Sequence, residues 1–437
     1  MRGKLWRRIG AVVALIIIII AGVVQFTVIG QNIWHKTVRY VSAYFYRYTP
    51  MAGTEAQFIR QIMTKDPATS RTIMWESLLP EDQALVEYKK ADESDFNIQT
   101  VDAVSKNFED GGEKRYIYTA EIKGLEPNTE YVYRVGRDGR DEWHPLSTKV
   151  SGDFTALLFP DSQSADYRGW ANLVKTAYTQ NPEANFFINI GDLVDNGEDA
   201  SQWNAWFDAV GPMAENVPFV GVIGNHEYYD KNWQVRHPLA YLNFFQFPSN
   251  DDPLARNQYY SFDYGDVHFA VLNTQFTEIP EAFRNKVRDA EVAWLKKDLA
   301  ETKKPWKIVL MHKDALRYPN TKRPDWTPGF TDLGELFMPI FEQNKVDLVL
   351  SGHYHMYRRR GHIENFKRSA TGPYYIITGV AGDVKYANIW GSHPLDEFIS
   401  PYPDADNYLV ISKKGNALTV SAFLPDGKQF DTVTLKK

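Results

Sequence analysis

Cysteine is absent from all 437 residues, which excludes disulfide frameworks, thiolate zinc sites and cysteine nucleophiles together. The body of the chain has no block of lysine or arginine, and its formal net charge is −6. A protein that neutralises nucleic-acid phosphates shows the opposite balance, so nucleic-acid binding is not expected. Internal repeats and low-complexity tracts are also missing. What is present is a folded-protein composition, 43% hydrophobic and 24% charged, with aromatics at 14% that suit sheets and pockets better than a helical bundle. The chain is too long for one ordinary core, so at least two domains are expected.

One long apolar run stands apart. Ile9 to Gly30 contains 22 residues without a charge, enough for a helix to cross a bilayer core of about 30 Å. Arg2, Lys4, Arg7 and Arg8 precede it, and Lys36, Arg39 and Arg47 follow. With the terminal amine, this favours a cytoplasmic N-terminus. The expectation is a basic tail and transmembrane signal anchor over 1–30, with the rest of the chain outside the cytoplasm. A cleaved signal peptide, giving a secreted protein, is the rival reading; its apolar region would be shorter and followed by a small-residue cleavage site. Residues 31–53 are aromatic and basic, a juxtamembrane segment in which Trp34, Tyr40, Tyr44, Phe45 and Tyr46 suit either a lipid–water boundary or a short amphipathic helix.

From 54 to 150, short strand-like runs alternate with Asp-Gly-Gly and Glu-Pro-Asn turn signals. The stretch from Leu125 to Val135 resembles the L-x-P-x-T-x-Y-x-Y-x-V signature of fibronectin type III domains. That resemblance implies an all-β sandwich in which Tyr131 closes a corner through its hydroxyl. Nothing in this region looks catalytic; it is read as a spacer or as a substrate- or wall-binding module. From 151 to 437, strands alternate with helical stretches and the tail returns to strands. Val292, Leu295 and Leu299, at offsets of three and four, mark one helix.

Five short polar segments in this second region each follow an apolar run. They contain Asp161 and Gln163; Asp192 and Asp195; Asn225, His226 and Glu227; His312; and His353 with His355. Polar groups just past strand ends occupy the ligand-binding edge of an α/β sheet. Carboxylate, amide and imidazole together make the ligand set of a two-metal hydrolytic centre. A bridging carboxylate is the first requirement, and Asp192, held between a strand and a glycine-containing turn, is the best candidate; alone, it would read as a helix cap. Asp161 adds a second carboxylate, Asn225 an amide oxygen and His312 an imidazole. His353 and His355, two apart on an extended segment, can direct both rings to one cluster. The other histidines, His35, His144, His237, His268, His362 and His393, are read as structural.

The series resembles the calcineurin-like metallophosphoesterase signature D-x-H, G-D-x-x-D-x-G, G-N-H-[DE], H and G-H-x-H. Within that superfamily it is most similar to the purple acid phosphatases, through Tyr259 to Phe269, Trp294 to Leu299, Pro305 with Trp306, Gly352 to Arg358 and the fibronectin-like domain in front. The resemblance implies an α/β four-layer metallophosphoesterase domain, two mixed sheets flanked by helices. It implies one metal held by Asp161, Asp192 and His355 and another by Asp192, Asn225, His312 and His353. Two cations so held lower the pKa of a water and clamp phosphoryl oxygens. Asn225 and His226 would contact phosphate, and His226 would protonate the leaving oxygen.

Two departures bear on the first metal. Gln163 stands where the wider superfamily has histidine, and is a weaker, neutral ligand. Asp195 stands where purple acid phosphatases have a tyrosinate, so the iron-loaded protein is expected to lack their strong visible band. Asp195 is read as a residue that orients ligands. Beyond His312, Lys313 or Arg317 is a candidate grip for phosphate; surface charge is the alternative.

The expectation is a phosphoesterase using two divalent or trivalent ions (Fe, Zn or Mn) on a phosphorylated small molecule or envelope polymer, with monoesters favoured. The alternatives are a phosphodiesterase or a nucleotide or cell-envelope phosphate hydrolase, a non-catalytic surface protein with a decayed site, and a membrane-tethered scaffold around a structural metal.

Overall fold

The computed structural model describes residues 55–136, 142–386, 389–403 and 405–437. Chain order gives first β1 (Gln57–Ile62), β2 (Ser70–Ser77), β3 (Leu85–Lys90), β4 (Gln99–Asp102), β5 (Val104–Asp110), β6 (Glu113–Lys123), β7 (Glu130–Val135) and β8 (His144–Ser147). There follow β9 (Phe154–Phe159), α1 (Arg168–Gln180), β10 (Phe186–Asn189), α2 (Ala200–Ala214), β11 (Phe219–Gly221) and α3 (Leu239–Phe244). Next are β12 (Tyr260–Tyr264), β13 (Val267–Val271), α4 (Glu281–Glu301), β14 (Trp306–Leu310), β15 (Leu316–Arg317), β16 (Gly329–Phe330), α5 (Asp332–Gln343) and β17 (Leu348–Ser351). The chain ends with β18 (Arg358–Glu364), β19 (Lys367–Arg368), β20 (Tyr374–Ile377), β21 (Phe398–Ile399), β22 (Tyr408–Lys414), β23 (Ala417–Phe423) and β24 (Gln429–Lys436).

Two large sheets dominate. One runs β24-β23-β22-β9-β10-β11-β1-β2-β6-β5, the other β12-β13-β14-β17-β20-β18-β19, with β21 on β18. Strands β9, β10 and β11 are parallel, as are β13, β14, β17 and β20. Their continuous apolar composition is what strands covered on both faces require. Side-chain alternation divides the faces. Phe262 and Phe269 meet Phe186 of the other sheet at ring separations of 6.0 and 5.6 Å. Ser261 and His268, pointing the opposite way, bond Asp298 of α4 at 2.7 Å. On the outer face of the first sheet, Trp170 of α1 packs on Phe159 at 5.1 Å and Trp206 of α2 on Phe219 at 5.3 Å. The stripe expected on α4 buries Leu295 and Leu299 fully and Val292 in part.

The N-terminal β region has a second sheet, β4-β3-β7-β8, facing β1-β2-β6-β5 across a small core that includes Trp75, Tyr118 and Tyr133. Tyr131 accepts a hydrogen bond from the Glu126 amide through its hydroxyl at 2.9 Å. This region does not stand apart as a closed sandwich. Its β1 pairs in parallel with β11 through Ile62 and Phe219, so one sheet runs through both regions.

One expectation is corrected. Among the described residues no helix is long and apolar enough to cross a membrane. The longest, α4, has 21 residues but carries charge along its length, and the apolar runs elsewhere are short strands buried between layers. A transmembrane helix as part of the fold, and the single-pass placement outside the cytoplasm drawn from it, are therefore not supported. The segments at issue, 1–30 and 31–53 with His35, lie outside the described residues.

Candidate metal centre

All five polar segments converge at the C-terminal ends of the parallel strands. Asp161 and Gln163 follow β9, Asp192 follows β10, Asn225 and His226 follow β11, His312 follows β14, and His353 and His355 follow β17. Two groups form, each with its ligand atoms within 4.8 Å of one another: Asp161, Asp192 and His355, and Asp192, His312 and His353. Asp192 belongs to both. Asn225 joins the second, its Oδ1 lying 3.2 Å from His312 Nε2.

Backbone geometry makes the convergence possible. His353 (φ 76°) and His355 (φ 54°) are left-handed rather than extended. Their side chains therefore do not share a strand face as alternation suggests; the turn sends one ring to each group. Gly191 (φ 97°) and Gly224 have no room for a side chain. A Cβ on Gly191 would meet the His312 ring, and one on Gly224 the Asp192 carboxylate.

The imidazoles are oriented by what they donate. His312 Nδ1 gives its proton to the Ile190 carbonyl at 2.9 Å, His355 Nδ1 to Val384 at 2.7 Å and His226 Nδ1 to Asp195 at 2.7 Å. A carbonyl only accepts, so Nδ1 carries a proton in each ring and Nε2 is the nitrogen turned toward the cluster. His312 Nε2 lies 2.9 Å from Asp192 Oδ2, and His355 Nε2 3.4 Å from Asp161 Oδ1. Asp161 also accepts the His353 amide at 3.0 Å.

Burial would raise the Asp192 carboxyl, but the imidazoles of His312, His226 and His353 outweigh it and hold the group well below the usual carboxylate range. Burial would lower His312, yet the carboxylates of Asp192 and Asp161 carry it up to about 9. Burial and the neighbouring His312 push His353 well down, and burial lowers His226.

Gln163 is wholly buried, and its amide nitrogen lies 3.1 Å from His226 Nε2 and 3.5 Å from Asp195 Oδ1. Its Oε1 and the Nε2 of His355 are buried without a hydrogen-bond partner. Buried polar atoms are costly when unpaired. Two orphaned acceptors beside a shared carboxylate are donor atoms that suit cations, so the residues present fit a pair of metals. Asp195 bears on His226: its carbonyl accepts the Nδ1 proton at 2.7 Å, and its carboxylate lies 3.6 Å from that ring.

Arg317 is not drawn into the centre. It sits in the two-stranded ribbon β15-β16 and donates to the Thr327 carbonyl at 3.1 Å. Lys313 is paired with Glu278 at 2.7 Å. His144, His237, His268, His362 and His393 all lie outside the two metal groups. Glu227 received no role from the sequence, although it lies inside the same motif as Asn225. It accepts the amides of Asp192 (3.0 Å), Leu193 (2.8 Å), Val194 (3.4 Å) and Gly224 (2.7 Å). Burial and the Asp192 charge raise its carboxyl to about 7.

The chain is similar to known proteins. Residues 143–357 match the calcineurin-like phosphoesterase family, and residues 56–150 match the purple acid phosphatase N-terminal domain. The chain carries a calcineurin-like phosphoesterase domain behind a purple acid phosphatase N-terminal domain. Its relatives include purple acid phosphatase 23 of Arabidopsis thaliana, 26% identical over 61% of this chain and 63% of that protein. Acid phosphatase type 7 of Mus musculus is 25% identical over 64% of this chain and 67% of its own length. The chain thus spans about three fifths of the Arabidopsis relative's length. Among solved structures, a purple acid phosphatase from yellow lupin (Lupinus luteus) seeds superposes with a TM-score of 0.70 at 20% identity, covering 88% of this chain and 74% of its own. PhoD gives 0.59 at 12% identity over 89% and 90%. The phosphoesterase domain therefore shares its fold with both.

Proposed function

We propose that this chain hydrolyses phosphomonoesters with the help of two metal ions, one held by Asp161, Asp192, His355 and Gln163 and the other by Asp192, Asn225, His312 and His353. The observation that carries the reading is the shared Asp192 carboxylate, with inward-facing imidazole nitrogens on either side of it. Cations bound there supply charge to the phosphoryl oxygens and a nucleophile drawn from water at neutral pH. The residues of the chain do the rest. Asn225 and His226 border the space where an ester would lie. His226 is fixed by its Nδ1 bond to Asp195 and presents Nε2 to the leaving oxygen, to which it delivers a proton. The similarity to proteins named as phosphatases supports the monoester over the diester reading. A phosphorylated small molecule is the proposed substrate.

The test uses the purified full chain loaded with Mn, Zn or Fe, assayed on p-nitrophenyl phosphate and on bis(p-nitrophenyl) phosphate. The expected result is metal-dependent phosphate release, faster on the monoester and lost in Asp192→Asn. Two bound ions per chain with no turnover of either ester would sink the enzymatic reading in favour of a binding protein.

A further inference from the structure

Beside His226 lies an aromatic surface that the hydrolytic reading does not use. The ring of Trp233 is 5.8 Å from the imidazole and that of Tyr229 5.5 Å, and the two aromatic rings are 6.0 Å apart. Trp233 remains 49% exposed. A large apolar ring left open at the edge of a polar cleft costs hydrophobic free energy, which a ligand would recover.

The loop that carries it is built to hold it there. Trp233 has a left-handed backbone (φ 62°), an unfavourable conformation for a bulky residue. Asp230 Oδ1 accepts the amides of Asn232 and Gln234, both at 2.8 Å, while Tyr229 and Val235 form a bridge. The far side of the loop is clamped by the N-terminal β region. Arg236 makes two 2.8 Å bonds to Asp110 at the end of β5, and Lys231 Nζ donates to the Gly111 carbonyl at 2.8 Å.

We infer that Trp233, with Tyr229, forms a leaving-group subsite that selects phosphomonoesters of planar aromatic alcohols. The inference rests on the hydrolytic reading above. With the Trp233 ring 5.8 Å from the imidazole, a ring attached directly to a leaving oxygen about 3 Å from His226 Nε2 has Trp233 within reach for aromatic pairing at 4.5–7 Å. An alkyl leaving group has no flat face to offer. In the reaction served, a water oxygen bonds to phosphorus and sheds one proton to solvent, and the bond between phosphorus and the aryl oxygen breaks. That oxygen takes its electron pair and the Nε2 proton of the His226 imidazolium to leave as a phenol, and His226 regains a proton from solvent.

The test compares the metal-loaded wild type with Trp233→Ala and Trp233→Phe, using phenyl phosphate and glycerol 2-phosphate. The ratio of aryl to alkyl kcat/KM is expected to fall roughly five- to tenfold in the alanine variant and to be largely restored by phenylalanine. Calorimetry with phenylphosphonate and methylphosphonate reads the subsite without turnover, and the phenyl preference should shrink by the same factor. An unchanged ratio, or an equal loss on both substrates, overturns the subsite and leaves the loop a structural element. If the wild type turns over neither ester yet prefers phenylphosphonate, the subsite stands and the hydrolytic reading falls. Absence of any phenyl preference in the wild type removes the subsite alone.

Discussion

Asp192 adopts φ 51°, a left-handed conformation that costs a non-glycine residue about 1–2 kcal/mol. Glu227 offsets that cost, because its carboxylate gathers the amides of Asp192, Leu193 and Val194 into one acceptor. Replacing it by glutamine turns one of the two accepting oxygens into a donor that faces amide protons. Glu227→Gln is therefore expected to weaken metal binding roughly 10- to 100-fold, as the loss of a group that orients ligands does. Titration calorimetry with Mn or Zn measures this, and unchanged affinity would show that Glu227 does not set the ligand geometry. Part of this was legible in advance. The ligands were readable because each follows an apolar strand, whereas Glu227 was only a letter in the same motif. Its role depends on amides from a turn distant in sequence, which no spacing rule reveals.

His268 provides a residue-scale pH prediction far from the metals. It is buried between Asp263 at 2.8 Å and Asp298 at 2.7 Å. Burial would lower its pKa, but the two carboxylates raise it to about 9. The folded value exceeds the ordinary one, so the bridge stabilises fully below pH ~6.5 and is lost as pH rises through about 9. Asp263 is partly open to solvent, with Lys304 at 3.9 Å, so a contribution on the order of 2 kcal/mol is reasonable after screening. The Tm advantage of wild type over His268→Gln should shrink by a few degrees between pH 6 and pH 10. A constant difference across that range would show that the bridge does not titrate with folding.

At the scale of elements, strand existence followed from apolar runs, but the loops that finish the site did not. The segment from Tyr229 to Arg236 has no periodicity to read. Its shape comes from an aspartate cap and from contact with the β5-β6 hairpin, which lies more than a hundred residues away in sequence. The N-terminal region was expected to be a spacer or a binding module, and its hairpin also holds the loop beside His226. Asp110→Ala should therefore act at a distance. Without Asp110, Arg236 keeps only the longer contact to Glu198 at 3.5 Å and holds the loop less firmly, so kcat/KM on an aryl ester should fall roughly threefold to tenfold, mainly through KM. Proteolysis of the loop should quicken in parallel. Unaltered kinetics and unaltered cleavage would return the hairpin to a passive neighbour.

For the whole molecule, the joining of the two regions matters most, and it is the least legible part of the sequence. The parallel pairing of β1 with β11 is made by backbone groups, which carry no residue signature. Side chains complete the seam: Arg60 donates to the Phe244 carbonyl at 2.7 Å, and Tyr133 to that of Glu215 at 2.8 Å. At its centre Glu76, fully buried, pairs with Arg60 at 3.0 Å and Arg115 at 2.8 Å. The two guanidiniums in turn cover the rings of Phe207 and Phe244 at 4.6 and 5.2 Å. One carboxylate thus compensates two buried cations against an aromatic wall belonging to the phosphoesterase domain. Removing it leaves Arg60 uncompensated and Arg115 with Glu113 alone, at 2.6 Å, and breaking a buried pair in this way costs about 3–5 kcal/mol. Glu76→Gln should lower Tm by several degrees in a single transition, because sheet and seam melt together. Two separated transitions, with only the earlier one shifted, would mean that the regions unfold independently and that the shared sheet is not a shared folding unit.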